Sequence, residues 1–345
     1  MTKILYGVSP IGLGHAARAV AVGEELRRRG FDPIYASGRN AVEFIRSYGF
    51  VVEDVITEPV PKVVSGEMKS ASTWYFRYWR GFRKSKKRMA ALITAARPDL
   101  VVGDEEFSGL VAAKERGLRN VMITDELELG FARGWLARKI EARVESWYEA
   151  LQSQVDLLIV PEAGTDSANR RYVGPIVRGV TRSKANVVDE FSLPKQGRML
   201  LLSLSGAGLG DHLVRPLMRA LARSGDDYLV ITGNRGDTLA GDRVYDLGVV
   251  RDNQNLVAAA DLVISTAGKS TIDEATGAGT PIIVVPMRNH AEQERNAAAL
   301  GFKPDDIGRL SELIQERLGR RGAPRSFDGA RKTADLLVGV AAYRS

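Results

Sequence analysis

Twice along this chain, short apolar runs give way to loops of small and polar residues and then to helical patterns. That order confines it to parallel sheets flanked by helices on both faces. In the first half the runs are residues 3–9, 31–37, 99–103, 119–124 and 156–160. They lack the apolar–polar alternation of a half-exposed strand, so each reads as a strand buried on both sides. After Tyr172-Val173-Gly174-Pro175 the pattern pauses through a polar stretch ending at Gly197. It restarts with residues 198–204, 228–232, 244–247, 261–265 and 281–286. The final stretch, 327–345, places Leu336, Leu337, Val340 and Ala341 on one side of a helix. The expected organisation is therefore two α/β domains, 1–178 and 179–326, followed by a closing helix over 327–345.

A length of 345 residues suits two domains and hence a cleft. With 44% hydrophobic and 26% charged residues, disordered, collagen-like and coiled-coil classes are excluded. No apolar run is long enough to span a bilayer, and MTKILYGV enters a strand pattern directly, so a cytoplasmic location is expected. The absence of cysteine removes disulfides, thiolate zinc sites and cysteine nucleophiles. Any chemistry falls to histidine, carboxylates, hydroxyls and backbone. A net charge of +7 favours an anionic partner, and nucleotide sugars, anionic lipid and nucleic acid all satisfy it.

The first loop, Gly12-Leu13-Gly14-His15, runs into Ala16-Ala17-Arg18. Glycines between a strand and a helix let backbone approach a ligand, and a helix N-terminus offers free N–H groups. Gly12, Gly14 and Ala17 satisfy the loose dinucleotide fingerprint. The acidic residue expected after the second strand is replaced by Ser37-Gly38-Arg39, which disfavours NAD and leaves only an NADP form. His15 stands at the carboxyl end of a strand, where open α/β sheets bind ligands, and an ordinary imidazole pKa near 6.5 suits a general base. The plainer alternative is that it caps the helix or fills the loop.

Four later segments carry further candidates. Ser205-Gly206-Ala207-Gly208 has the small residues that admit a diphosphate, although turn chemistry alone explains them. In DLVISTAGKSTIDEATGAG (261–279) a strand turns at Gly268-Lys269-Ser270-Thr271 into a helix bearing Glu274. Walker A would need glycine where Val263 stands, so an ATPase is not expected. What remains is a helix N-terminus with hydroxyls and an ammonium for phosphate, and a carboxylate for ribose hydroxyls. Glu292 and Gln293 offer the acceptor and amide groups that read sugar hydroxyls. Asp104-Glu105-Glu106 forms an acidic cluster after a strand, read as solvated or acceptor-binding rather than metal-binding.

Together the early GLGH, the stretch ADLVISTAGKSTIDEATGAGTPIIVVP and the segment HAEQERNAAAL resemble the MurG-like glycosyltransferases of the GT-B fold. The resemblance is specific mainly over 261–300 and loose over 43–162. It implies two Rossmann-like domains facing a cleft, with the closing helix packing back toward the first. It further implies a nucleotide-sugar donor, usually UDP-GlcNAc, on the second domain and an acceptor, often lipid-linked, on the first. His15 would be the base. Ser205, Gly206, Gly268, Lys269, Ser270 and Thr271 would line the diphosphate and sugar, and Val250 would offer backbone to the uracil. Glu274 would hold the ribose, and Glu292 and Gln293 the hexose. Gly12, Gly14, Arg18, Asp104 and Glu106 would lie on the acceptor side. The implied reaction is an inverting transfer in which UDP-sugar is substrate, no cofactor takes part and a divalent metal is optional. Arg18 in GHAAR resembles distant prokaryotic relatives more than the peptidoglycan enzymes, and Glu292 departs from the usual Asp or Gln. A UDP-GlcNAc 2-epimerase of the same fold and a non-catalytic subunit of a transferase stay open.

Residues 74–88, WYFRYWRGFRKSKKR, contain no acid. A helical wheel puts Trp74, Tyr75, Tyr78, Trp79 and Phe82 on one face and Arg77, Arg80, Lys84 and Lys87 on another. That suits the interface of an anionic bilayer at the inner face of the cell membrane. It also suits aromatics packed on a sheet, or single-stranded nucleic acid, which the family resemblance disfavours.

Overall fold

The computed structural model describes residues 2–60, 62–64, 67–69, 71–125, 135–204, 210–222, 225–233 and 240–342. Residues 1–62, 70–178 and 327–345 form one compact unit, and 63–69 with 179–326 form a second. Every apolar run named above becomes a strand, and the stretches between them become mostly helical.

In the first unit the strands are β1 (Ile4–Val8), β2 (Ile34–Ser37) and β3 (Val52–Asp54). A separate two-stranded pair, β4 (Lys62–Val64) and β5 (Glu67–Lys69), comes next in sequence but groups from residue 63 with the second unit, and the first unit resumes with β6 (Leu100–Asp104), β7 (Arg119–Ile123), β8 (Leu157–Val160) and β9 (Arg170–Tyr172). The helices between them are α1 (Gly14–Arg28), α2 (Asn40–Ser47), α3 (Ala71–Ala96), α4 (Phe107–Lys114) and α5 (Trp135–Gln152). The seven-stranded sheet has the order β3-β2-β1-β6-β7-β8-β9 with every pairing parallel. Order reverses between β1 and β6, and that reversal places the loops after these two strands side by side.

The second unit continues with α6 (Lys184–Glu190), β10 (Met199–Ser203), α7 (Val214–Leu221), β11 (Tyr228–Thr232), β12 (Ala240–Gly241) and β13 (Val244–Asp246). It goes on through α8 (Asn253–Ala259), β14 (Leu262–Ser265), α9 (Lys269–Ala278), β15 (Ile282–Val284), α10 (Ala291–Ala299) and α11 (Leu310–Arg317). Its sheet runs β12-β13-β11-β10-β14-β15, antiparallel only at the β12 edge. Here the reversal falls between β10 and β14. The core of the unit is one aliphatic cluster that includes Leu200, Leu202, Val230, Val263 and Ile283, each at most 1% exposed.

The last helix, α12 (Gly329–Ala342), belongs to the first unit and lies against α1. Ala334, Leu337 and Ala341 join the cluster that holds Val20, Tyr6 and Tyr35. Gly329 has no room for a side chain, because a Cβ there would stand 2.4 Å from the Pro175 carbonyl oxygen. On the opposite face α3 packs through Tyr75, Phe82, Ser85, Met89 and Ile93, all buried and spaced by three, four or seven residues, so that they share one side of the helix. Gly81 in mid-helix has a packing reason: a Cβ would lie 2.8 Å from the Thr57 carbonyl oxygen.

Leu337 is fully buried between α12 and the sheet. Leu337→Ala is expected to cost the first unit about 2–5 kcal/mol. All four tryptophans, Trp74, Trp79, Trp135 and Trp147, lie in that unit. Urea denaturation followed by tryptophan fluorescence therefore reads the loss.

Candidate active site

The reversal between β1 and β6 brings together two loops from distant parts of the chain. After β1, Gly12 takes a left-handed φ of 82°, which glycine tolerates, and α1 then starts at Gly14 with His15 in its first turn. No side chain caps this helix start, and its first turn holds no acid. β6 supplies the missing negative charge: Asp104 closes the strand beside Val8, and Glu105 and Glu106 follow.

Arg18, one turn along α1 and 7% exposed, is the hub. Its Nε donates to Asp104 Oδ2 at 3.0 Å and its Nη2 to Asp104 Oδ1 at 2.5 Å. Its Nη1 donates to Asp125 Oδ1, just past β7, at 3.0 Å. Asp104 is fully buried, and this two-pronged pairing lets a carboxylate survive there. Burial alone would raise its pKa, but the Arg18 charge and the His15 and Arg18 hydrogen bonds outweigh it and hold the carboxyl below its ordinary range.

His15 Nδ1 lies 3.2 Å from Asp104 Oδ1 and its Nε2 3.3 Å from Glu105 Oε2. Arg18 Nη2 also lies 3.2 Å from Nδ1, but both are donors once Nδ1 gives its proton to Asp104. The ring is thus held between two carboxylates. Burial pulls its pKa down, yet Glu105 and the Asp104 hydrogen bond more than compensate and lift it to about 9. This corrects the expectation of an ordinary imidazole. A pKa of about 9 favours the imidazolium over the free base at neutral pH.

Glu106 is corrected too. Fully buried, it caps α4, its Oε1 accepting from the Ser108 N–H at 2.8 Å and its Oε2 from the Gly109 N–H at 2.9 Å. Those bonds leave it serving the helix rather than an acceptor. Glu58, which carries no motif, sits 1% exposed near His15 and Glu106, with Oε1 unpartnered among the described residues. Burial and the charge of Glu106 push its carboxyl well up. Only the fold reveals Glu58 and Asp125.

In the second unit the analogous reversal pairs the end of β10 with the end of β14, Ser203 beside Ser265. Ser205 and Gly206 lie outside the described residues. After β14, Ala267 takes a left-handed φ of 65° and Gly268 is the N-cap of α9, whose first-turn N–H groups have no side-chain cap among the described residues. A Cβ on Gly268 would meet nothing within 4 Å. Lys269 Nζ is bound to both carboxylate oxygens of Asp273, at 2.9 and 2.6 Å. Glu274 is 8% exposed. Gln293 is 6% exposed and its Oε1 accepts from the Met287 N–H at 3.1 Å, which fixes the loop before α10. His290 caps α10 through Nδ1, and burial lowers its pKa to about 4, which keeps that nitrogen an acceptor. Glu292 lies in the first turn of α10, and Val250 packs half-buried on the core.

The aromatic segment divides differently from the helical wheel. Tyr75 and Phe82 are buried, and Trp74 and Tyr78 are half-buried, Trp74 donating its Nε1–H to the Pro59 carbonyl at 2.8 Å. Trp79 turns outward at 53% exposed, next to Phe76 at 64%. Arg77, Arg80, Arg83, Lys84, Lys87 and Arg88 are exposed on the same helix. Trp135 on the contacting helix α5 is 70% exposed.

Residues 231–310, which include the α9 start and the α10 loop, match the glycosyltransferase family 28 C-terminal domain. The chain is a sugar-nucleotide-dependent glycosyltransferase. Over 326 residues it is 26% identical to an uncharacterized glycosyltransferase of Methanosarcina acetivorans, covering 89% of this chain and 85% of the relative. It is 27% identical over 335 residues to the UDP-N-acetylglucosamine–N-acetylmuramyl-(pentapeptide) pyrophosphoryl-undecaprenol N-acetylglucosamine transferase of Deinococcus deserti, covering 89% and 86%. The crystal structure of the kitacinnamycin glycosyltransferase superposes with a TM-score of 0.65 at 16% identity, covering 98% of each chain. The fold of this glycosyltransferase is thus GT-B, with two Rossmann-like sheets.

The carboxylate pair around His15 has a measurable consequence for stability. A histidine whose pKa rises from about 6.5 unfolded to about 9 folded stabilises the fold fully below pH 6.5 and loses that contribution as pH climbs through 9. Its size is at most about 3 kcal/mol. Urea denaturation of the first unit is expected to show a decline between pH 6.5 and 9 that His15→Gln abolishes.

Proposed function

We propose that this glycosyltransferase moves GlcNAc from UDP-GlcNAc, with inversion, to a hydroxyl of a lipid-linked acceptor at the cytoplasmic face of the membrane. The observation that carries the proposal is the family 28 match across α9 and α10, with the uncapped α9 N-terminus inside it. In this account residues 179–326 hold the donor and residues 1–178, with the closing helix 327–345, hold the acceptor. The name of the Deinococcus deserti relative supports both substrates.

The chemistry follows from the residues. Neutral His15, with Nδ1–H donated to Asp104, accepts the acceptor hydroxyl proton at Nε2. The hydroxyl oxygen forms its bond to the anomeric carbon as the bond from that carbon to the phosphate oxygen breaks, and UDP departs with the electron pair. The first-turn N–H groups of α9, and Lys269 swung from Asp273, receive the developing charge. Ser205, Gly206, Ser270 and Thr271 line the same diphosphate, Val250 meets the base, Glu274 the ribose and Glu292 the hexose. A donor set of this kind makes a divalent metal dispensable. Gly12 and Gly14 let the acceptor approach the α1 start.

Titration calorimetry with UDP-GlcNAc, UDP, GDP and TDP tests the donor. UDP-GlcNAc is expected to bind tightest, and equal or absent binding overturns the assignment. His15→Ala is expected to keep donor affinity within twofold and lower turnover by about 10²–10⁴-fold, the range for loss of a general base.

Phe76, Trp79 and the cations around them support the membrane location, since exposed aromatics beside positive charge seat a surface in an anionic headgroup layer. No helix among the described residues is long and apolar enough to cross a membrane, so contact would be peripheral. Flotation with phosphatidylglycerol vesicles is expected to carry the protein up. The double substitution Phe76→Ser with Trp79→Ser should leave most of it behind, whereas vesicles of phosphatidylcholine alone should not lift either protein.

A further inference from the structure

Asp104 and Glu105 are neighbours in sequence, yet both reach the same imidazole, one at each nitrogen. Successive side chains of a strand point to opposite faces, so regular backbone could not do this. Glu105 achieves it with a left-handed φ of 46°, a conformation that costs a non-glycine residue free energy and tends to persist at functional positions. Its N–H is tied to the Ile123 carbonyl oxygen at 3.1 Å, which fixes the turn, and its side chain remains 18% exposed. Asp104, by contrast, is locked by Arg18. Of the two carboxylates Asp104 is the fully buried one and Glu105 the solvent-reachable one.

We propose that Glu105 is a positioning residue that occupies His15 Nε2 until the acceptor hydroxyl takes its place. The inference rests on the transferase assignment above, in which Nε2 is the atom that receives the acceptor proton. While Glu105 holds the ring, Nε2 carries a proton and cannot activate water, so a bound nucleotide sugar is protected from hydrolysis. Displacement of Glu105 removes one of two negative partners, the Nε2 proton passes to solvent, and the neutral ring then accepts the proton of the hydroxyl that displaced the carboxylate. The other charged groups around the ring are Arg18 on α1, Asp104 at the end of β6 and Glu58 after β3. Asp125, after β7, acts through Arg18, and Glu106 is held by the α4 cap. None of these is both displaceable and against Nε2.

The chain has three histidines, so NMR of histidine-labelled protein can follow each ring. His15 is expected to titrate near 9, well above His212 and His290, whose pKa values burial lowers. Glu105→Gln should bring the His15 midpoint down by a unit or more. Glu105→Gly should do the same, with an unchanged or higher Tm at pH 10, where the neutral ring no longer draws stability from the carboxylate and glycine accepts the left-handed backbone; a purely structural role predicts the opposite pair of results. Without acceptor, hydrolysis of UDP-GlcNAc at pH 7 should rise about tenfold for a fall in the midpoint from about 9 by one unit, and its pH–rate inflection should move with it. A midpoint that does not move in either variant overturns the proposal whatever the donor does. So does a midpoint that falls while hydrolysis of bound donor stays level. Failure of wild-type protein to bind UDP-GlcNAc in calorimetry would instead remove the donor assignment, and the ring titration would still decide whether Glu105 holds Nε2.

Discussion

The buried pairing of Arg18 with Asp104 is what the rest of the first unit's site depends on. Two N–H groups of one guanidinium hold both oxygens of a carboxylate that water does not reach, and a third N–H ties in Asp125. Taking such a pair out of water gives little net stability, and its value lies in the single geometry it enforces. With Asp104 fixed, His15 must present Nδ1 to it, and only Nε2 is left to face a reactant. Fixing the tautomer in this way is how a carboxylate orients a general base.

Both units solve the same problem at the same place in the sheet. Each unit puts a helix start with no side-chain cap among the described residues after a strand at its order reversal: α1 after β1 and α9 after β14. Each also has a left-handed non-glycine residue after the strand on the far side of the reversal, Glu105 after β6 and Ala267 after β14. The chemistry differs with the charge that arrives there. Carboxylates meet α1 and make a histidine site, while hydroxyls and Lys269 surround the start of α9 and suit a diphosphate.

Much of this was legible in the sequence because buried parallel strands are unbroken apolar runs, and all ten runs became strands. β3, whose sequence is VED, and β9, RRY, escaped notice because short strands with exposed or half-exposed side chains carry no apolar signature. The segment from Asp261 to Leu300 was readable for a different reason: its glycines, Lys269 and Glu274 occupy consecutive turns of one local element. The histidine site was only half readable. His15 and Arg18 lie on one helix, but Asp104, Asp125 and Glu58 come from three other places, and the fold alone unites them. The pKa of His15 depends on that union, as does the diversion of Glu106 into a helix cap. On α3, local periodicity predicted an amphipathic helix correctly, yet the neighbouring loop at Pro59 decided that Trp74 turns in and Trp79 turns out.

The most direct measurement is the position of the hydrogens on His15. Neutron diffraction from deuterium-exchanged crystals of the unliganded protein at pH 7 should show density on both ring nitrogens, Nδ1 toward Asp104 and Nε2 toward Glu105. A bare Nε2, or an imidazole turned away from either carboxylate, would contradict the account.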